Sequence, residues 1–468
     1  MSSYSERLSH WVRPLDFRDI PSDVIESTKL RVLDVIGLAL AGSVTSFGNS
    51  VRRATVAMNP AGPSRLIGTG ESVSVAAAAS ANGAMSQALE YDDTHNESIV
   101  HMSSPSVAAA LALSESRPVS GQQMITAIAL GSEISCRIGI VAPGQFHRRG
   151  FHPTGLFATF GTTYLAGRLL ELDPEQLTNA AGIAGSFASG ILECWVDGTQ
   201  SKFLHPGWAA QSGIVAAFLA AAGTTGPKTV FEGRFGLFAS HLQDESTPRA
   251  LARITDGLGE TWESRKASFK PYPAAHVIHP YIDALLKLRS RYAIDPREVD
   301  QIVCPVANYI VPIVCEPVAE KCRPKSDSHG RVSLQYTLAE ALFTGRLGKD
   351  AYQPAMLENQ AVLDLAERIV YQIDPSFPGP GQFKGAVKVF LKNGVCHEAV
   401  EEHNRGSAEN PMSREEILAK FEENAATVLS TARIRLLADA AFGLEASADA
   451  SELVRLSIST SRPSSSAF

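Results

Sequence analysis

Residues 89–105, LEYDDTHNESIVHMSSP, gather Glu90, Asp92, Asp93, His95, Glu97 and His101 into one short run. Such residue types serve a metal cage, a catalytic acid/base cluster, or a solvated helix end. If the run ends a helix, adjacent acids point about 100° apart, so Asp92 and Asp93 do not face one pocket. Glu90 and Asp93, three apart, share a face and are the expected inward carboxylates. Carboxylates at a helix C-terminus oppose the macrodipole, so the placement asks for a reason. The next helix is expected to start with Ser104 as cap and Pro105 in first position. His101 then sits just before a helix N-terminus, whose N–H groups attract an anionic substrate. His95 and Glu97 are expected to face water.

Three further segments repeat this arrangement of a polar loop ahead of a small-residue helix. GFHPTGLFATFG places His152 before Pro153 and a Thr154 cap. SKFLHPGWAAQSG places Lys202 and His205. FKPYPAAHVIHPYIDALL places Lys270, His276 and His279 beside an extended Lys-Pro-Tyr-Pro stretch. Their tips could converge on one face of a bundle. No HExxH or spaced Cys/His pattern supports zinc, and lysines would repel a cation, so no metal site is expected. GTGES and PGPGQFKGAV match neither a P-loop nor a dinucleotide fingerprint, and no GxSxG elbow is present.

Residues 1–265 read as mostly helical, and these helices must position the loops. PSDVIESTKLRVLDVIGLALAG has helical periodicity between a Ser22 cap and a Gly42 stop. Ser120 with Gln123, and Asp173 with Gln176, have capping-box spacing. Dense Ala, Gly and Ser let helix axes approach closely, as in a bundle buried on every face. From about residue 266 the texture changes. VDQIVCPVANYIVPIV is β-rich, AVKVFLKNGVCHEAVEE is a hairpin about Asn393-Gly394, and SLQYTLAEALFTG and QAVLDLAERIV are helical. The expected fold is mainly α: an all-helical domain (1–265 plus 403–460) with an inserted α+β lid containing antiparallel strands (266–402). Ser413 and Glu416 cap a returning helix, and 461–468 form a disordered tail.

A net charge of −7 argues against general nucleic-acid or anionic-membrane binding. With no secretory signal and no apolar run near 20 residues, a soluble cytoplasmic protein is expected. The six scattered cysteines are expected to be reduced thiols.

In order, ALEYDDTH…HMSSP, GFHPTGLFATFG, SKFLHPGWAAQSG and FKPYPAAHVIHPYIDALL resemble the MmgE/PrpD family, with weaker similarity through VSLQYTLAEALFTGRL and VKVFLKNG. That family includes 2-methylcitrate dehydratases, cis-aconitate decarboxylases and iminodisuccinate epimerases. The resemblance implies a helical domain with an α+β lid, a site between them, a homodimer, and no metal or organic cofactor. It implies catalytic roles for His101, His152, Lys202, Lys270 and Asp93. Substrate contacts are expected from Glu90, Asp92, Thr94, Ser103, Ser104, His205 and His276. The chain departs from the pattern at Met102 and at KCRPKSDSHGRVSLQY, where Ser326 to His329 mark altered substrate contacts. Lysines beside a small anionic carboxylate substrate stabilise charge built by removing an α-proton, and histidines carry the proton. Glu90 or Asp93 is expected to orient a histidine. A hydro-lyase on a hydroxylated di- or tricarboxylate is the leading expectation, with epimerase or decarboxylase as alternatives and a non-catalytic carboxylate-binding protein below them.

Overall fold

The computed structural model describes residues 2–459; residue 460 and the expected tail at 461–468 lie outside the described residues. The chain is mainly α-helical, with its buried apolar residues in two large clusters.

The first cluster is built from helices Ser22–Ser43, Val75–Gln87, Ser103–Ser114, Gly121–Gly139, Pro153–Leu169 and His205–Ala221. Every residue of Ser103–Ser114 is buried, so its sequence is small and apolar all round rather than striped. Close approach requires glycine here. A Cβ on Gly161 would lie 2.2 Å from the Gly131 carbonyl oxygen, and one on Gly83 would lie 2.9 Å from Gly207 Cα. Gly42 serves the same purpose rather than stopping its helix. The helix runs on to Ser43, and a Cβ at Gly42 would meet the Met85 carbonyl at 2.0 Å. Ser22 is the first helical residue, with Pro21 in the cap position. The capping boxes at Ser120, Asp173 and Ser413 all form.

The second cluster spans residues 274–389. Helices His279–Tyr292, Leu334–Thr344 and Gln360–Ala366 accompany a four-stranded sheet ordered Ile369–Ile373, Val299–Val306, Gly385–Leu391, Cys396–Glu401. The last two form the hairpin about Asn393-Gly394, with Gly394 at φ +86°. The sheet is mixed, because Val299–Val306 pairs in parallel with Ile369–Ile373. The helices between them carry the chain back to the starting edge, as a crossover must. QAVLDLAERIV therefore divides, helix to Ala366 and strand from Ile369.

Helix Arg414–Ala425 returns to the first cluster. Its Phe421 lies against Gly37, where a Cβ would come within 2.8 Å of the ring. Its Lys420 ammonium sits 2.8 Å from Asp34 Oδ1 and 2.9 Å from the Tyr91 carbonyl. Burial raises the Asp34 pKa, with Lys420 opposing it. All six cysteines are free, and only Cys396 is exposed. Among the described residues, no single helix is long and apolar enough to cross a membrane.

Candidate active site

Helix Val75–Gln87 ends before the acidic run, so the acids are not helical. Glu90 turns the chain at φ +52°, and Thr94–His95 then pairs antiparallel with Ala267–Ser268. That pairing carries Lys270, two residues beyond Ser268, to the back of the turn. Its ammonium lies 3.0 Å from the Glu90 carbonyl and 3.5 Å from Glu90 Oε1. Lys202, on the turn Ser201–Leu204 ahead of helix His205–Ala221, pairs with the same Glu90 carboxylate. Burial works against the Glu90 anion, but Lys202 and then Lys270 outweigh it and hold its pKa far below the ordinary carboxylate range. Burial pushes Lys270 down, with Glu90 and Asp92 resisting. An ammonium carries three N–H donors and, among the described residues, Lys202 gives its side-chain bond to Glu90 alone, so donors remain to receive an anion.

His101 is oriented from the same loop. Its Nδ1 lies 2.8 Å from the Asp93 carbonyl and 3.3 Å from Asp92 Oδ1, and its main-chain N–H donates to Thr154 Oγ1 at 3.0 Å. A carbonyl only accepts, so Nδ1 carries the proton and Nε2 is left for chemistry. The carboxylate beside His101 is thus Asp92, where Glu90 or Asp93 was expected. Burial raises the Asp92 pKa, yet His101 reverses that and lowers it. Thr154, expected as a cap, spends its hydroxyl on His101, and helix Pro153–Leu169 has His152 in the cap position.

Asp93 has a different task. It pairs with Arg31, whose Nη2 donates to the Ala267 carbonyl at 2.8 Å, and it accepts the Ser103 N–H at 3.2 Å. Ser104 Oγ donates to Asp92 at 2.9 Å. The helix begins at Ser103 with Met102 in the cap position, two residues earlier than expected. The chain's own carboxylates answer its N-terminus, which was expected to face substrate.

His152 and His205 meet Nδ1 to Nδ1 at 2.9 Å, so one nitrogen donates and the other accepts. Burial lowers both, His205 to about 4, with Lys202 adding to the effect. His152 Nε2 is buried without a partner, and its ring centroid is 5.6 Å from that of His101.

A cavity of about 600 Å³, including its mouth, opens where the two clusters face each other. Glu90, Thr94, His101, Lys202, Lys270 and His276 line it. Asp92, Asp93, Ser103, Ser104, His152 and His205 stand outside that lining. Much of the remaining wall is apolar: Ile99, Ala275, Val277, Ile313, Val332 and Phe383, with Trp195 and Tyr309. His147 also faces in, its pKa lowered to about 4 by burial, Lys202 and His101. The reading of isolated motifs missed His147, Trp195, Tyr309, Pro380 and Phe383. The signals were an extra histidine just before GFHP and the PGPGQF loop, which was compared only with phosphate-binding motifs that it does not match.

His95 and Glu97 do not face open water. His95 is fully buried, with Nδ1 2.8 Å from Ser98 Oγ and Nε2 3.8 Å from Glu263. Glu97 is half-buried against Arg253 at 2.6 Å. Arg253 and Glu263 come from distant segments that the local pattern does not reveal. Ser326 to His329 lie away from the cavity, where Ser326 Oγ donates to the Gly198 carbonyl and His329 packs beneath it. Among the described residues, no group of three or more His, Cys, Asp or Glu is placed to hold a metal ion.

The MmgE/PrpD N-terminal domain model matches residues 6–250 and the C-terminal domain model matches residues 272–444. The chain belongs to the MmgE/PrpD family. A cis-aconitate decarboxylase-like protein of Aspergillus oryzae is 29% identical over 467 residues, covering 96% of each chain. The cis-aconitate decarboxylase of Aspergillus terreus is 28% identical over 97% of this chain and 96% of its own. That of Homo sapiens is 26% identical over 97% and 95%. These family relatives are lyases by name, and their similarity runs through both clusters of the fold.

Proposed function

We propose that this MmgE/PrpD protein is a lyase that decarboxylates an unsaturated tricarboxylate of the cis-aconitate type. The observation that carries the reading is the mixed lining of the cavity, which combines Lys202, Lys270, His101 and His276 with apolar residues such as Ile99, Val277, Ile313 and Phe383. The ammonium groups hold the carboxylates that remain. A carboxylate pressed against the apolar wall loses solvation, which favours its departure as neutral CO2. The C–C bond breaks, and its electron pair stays on carbon, allylic to the double bond. The pair delocalises toward the far carboxylate, where Lys202 or Lys270 stabilises the added charge. The carbon next to that carboxylate then takes one proton, for which His101 is the assigned carrier. The product is a methylene-substituted dicarboxylate.

Dehydration of a hydroxylated relative is the second reading, favoured by the same pairing of an oriented histidine with ammonium groups. The names of the relatives move decarboxylation ahead of it. The test is incubation with cis-aconitate, 2-methylcitrate and iminodisuccinate in D2O, followed by NMR. The proposal expects CO2 release from cis-aconitate and one deuteron on the carbon beside a carboxylate. Loss of water from 2-methylcitrate alone would make the protein a dehydratase, and inversion of iminodisuccinate alone would make it an epimerase.

We also propose that two copies pair through helix His205–Ala221 and the turn before it. Leu204, Trp208 and Phe218 stand 45%, 42% and 45% exposed there, three large apolar side chains that a single copy leaves in water.

A further inference from the structure

Asn404 was not among the expected site residues, and it lies outside the cavity lining. It is 1% exposed, in the segment that leads from strand Cys396–Glu401 back to helix Arg414–Ala425. Its side chain is held in one orientation by two neighbours, Arg405 and Asn96. Its Nδ2 is 3.5 Å from the Arg405 carbonyl, which can only accept. Its Oδ1 accepts from Asn96 Nδ2 at 3.4 Å, and Asn96 Oδ1 in turn accepts from Ser268 Oγ at 3.0 Å. With its amide so turned, Asn404 Nδ2 donates to His276 Nε2 at 2.9 Å.

A donor facing Nε2 makes that nitrogen the lone-pair site of the ring. In a neutral imidazole the proton is then on Nδ1. The ring is neutral because burial, followed by His279 and Lys270, drives its pKa well below the ordinary value. His276 Nδ1 is buried and has no partner, although its side chain lines the cavity. His279, with its ring centroid 4.7 Å away, offers no hydrogen bond to it; its own Nε2 lies 3.1 Å from the Ala274 carbonyl. A buried donor left unmatched is unfavourable, so the ring has capacity for one acceptor from a ligand.

We propose that Asn404 is a positioning residue that fixes the tautomer of His276, so that an Nδ1–H group is presented to a carboxylate or enolate oxygen of the substrate. The inference rests on the carboxylate-lyase reading above, for which it supplies a neutral, directional donor alongside the two ammonium groups. Ser268 and Asn96 belong to the helical side, whereas Asn404 and His276 lie beyond it, so the relay forms only when both sides are in contact.

The experiment needs no substrate. Full-length protein labelled with 15N at histidine is examined by long-range 1H–15N correlation, with His276 assigned by loss of its signals in His276→Gln. The expected pattern is a protonated Nδ1 and an unprotonated Nε2. In Asn404→Asp the new carboxylate accepts from the ring, so the proton moves to Nε2. Asn404→Ser, which keeps a small polar group, guards against failure of the aspartate variant to fold. It is expected to give a mixed tautomer pattern. Protonation at Nε2 in the unsubstituted protein, or an unchanged tautomer in folded variants at 404, would overturn the proposal. On a confirmed substrate, Asn404→Asp is expected to lower kcat/KM by about 10²–10³, the effect of removing one oxyanion donor. If cis-aconitate is not turned over, the substrate reading fails while the tautomer measurement still stands or falls alone.

Discussion

Replacing Glu90 with Gln keeps the shape of the side chain and removes its charge. In the native site that carboxylate is shared by Lys202 and Lys270, with Lys270 fully buried. Unit charges 3.5 Å apart, the Lys270–Glu90 separation, attract by about 5 kcal/mol at an effective dielectric of about 20. Asp92 remains nearby and offsets part of the loss. If half the attraction goes, the ratio of ammonium to free amine at Lys270 changes by roughly a hundredfold, at about 1.4 kcal/mol per tenfold. Burial already lowers the Lys270 pKa, so the variant moves it further in the same direction. Glu90→Gln is therefore expected to lose activity as pH rises, at values where the native enzyme is still flat. The assay is kcat/KM against pH on the confirmed substrate. Thermal unfolding supplies a readout without substrate. A lysine whose folded pKa is depressed binds fewer protons folded than unfolded, so its cost shrinks as pH rises toward the unfolded value. The variant's Tm should climb more steeply with pH on the alkaline side than the native protein's. On the acid side stability again rises with pH, but there the native protein has the steeper profile. The depressed Glu90 pKa stabilises the native fold above the ordinary value of 4.5 and loses that contribution as pH falls, a loss the variant cannot show. Superimposable pH profiles for the two proteins, in both rate and Tm, would refute the idea that Glu90 helps keep Lys270 charged.

His101→Gln should lower kcat by about 10²–10⁴ with a smaller change in KM, as removal of a proton carrier does; steady-state kinetics decide. Asp92→Asn should fall between that variant and the native enzyme, because Asp92 orients and charge-stabilises the ring without lining the cavity. Arg31→Met leaves Asp93 buried and unpaired and should cost about 3–5 kcal/mol in urea unfolding. The double variant Arg31→Met/Asp93→Leu should recover much of that loss. Trp208→Asp should shift the molar mass seen by light scattering toward a single copy, without loss of helical circular dichroism.

The polar residues that line the cavity were legible, because Glu90, His101, Lys202, Lys270 and His276 stand in short motifs of unusual type. Their partners were harder to assign, since a one-dimensional pattern does not say where a helix stops. With the helix ending at Gln87, the 100° rule no longer governed the acids, and Asp92 took the place expected of Asp93 beside His101. His95 illustrates the same limit, because Glu263, which closes over it, lies in a distant turn. The helical core was readable from small-residue density, and the hairpin from Asn-Gly. The parallel pairing of Ile369–Ile373 was not, because two residues of AERIV belong to a strand that looks like a helix end. The apolar wall was invisible for a simpler reason: Trp195, Ile313 and Phe383 are ordinary core residues until the fold leaves space beside them.

The contact between Lys420 and the Tyr91 carbonyl joins residues 329 positions apart. On a ribosome adding about 5–20 residues per second, the early partner waits roughly 15–65 s for the late one. During that interval the helix bearing Asp34 lacks both its counter-charge and the Phe421 ring that covers Gly37. The nascent chain is therefore expected to hold an incomplete helical layer while the sheet-bearing segment is made and folded, and to need shielding from its neighbours until residue 421 emerges.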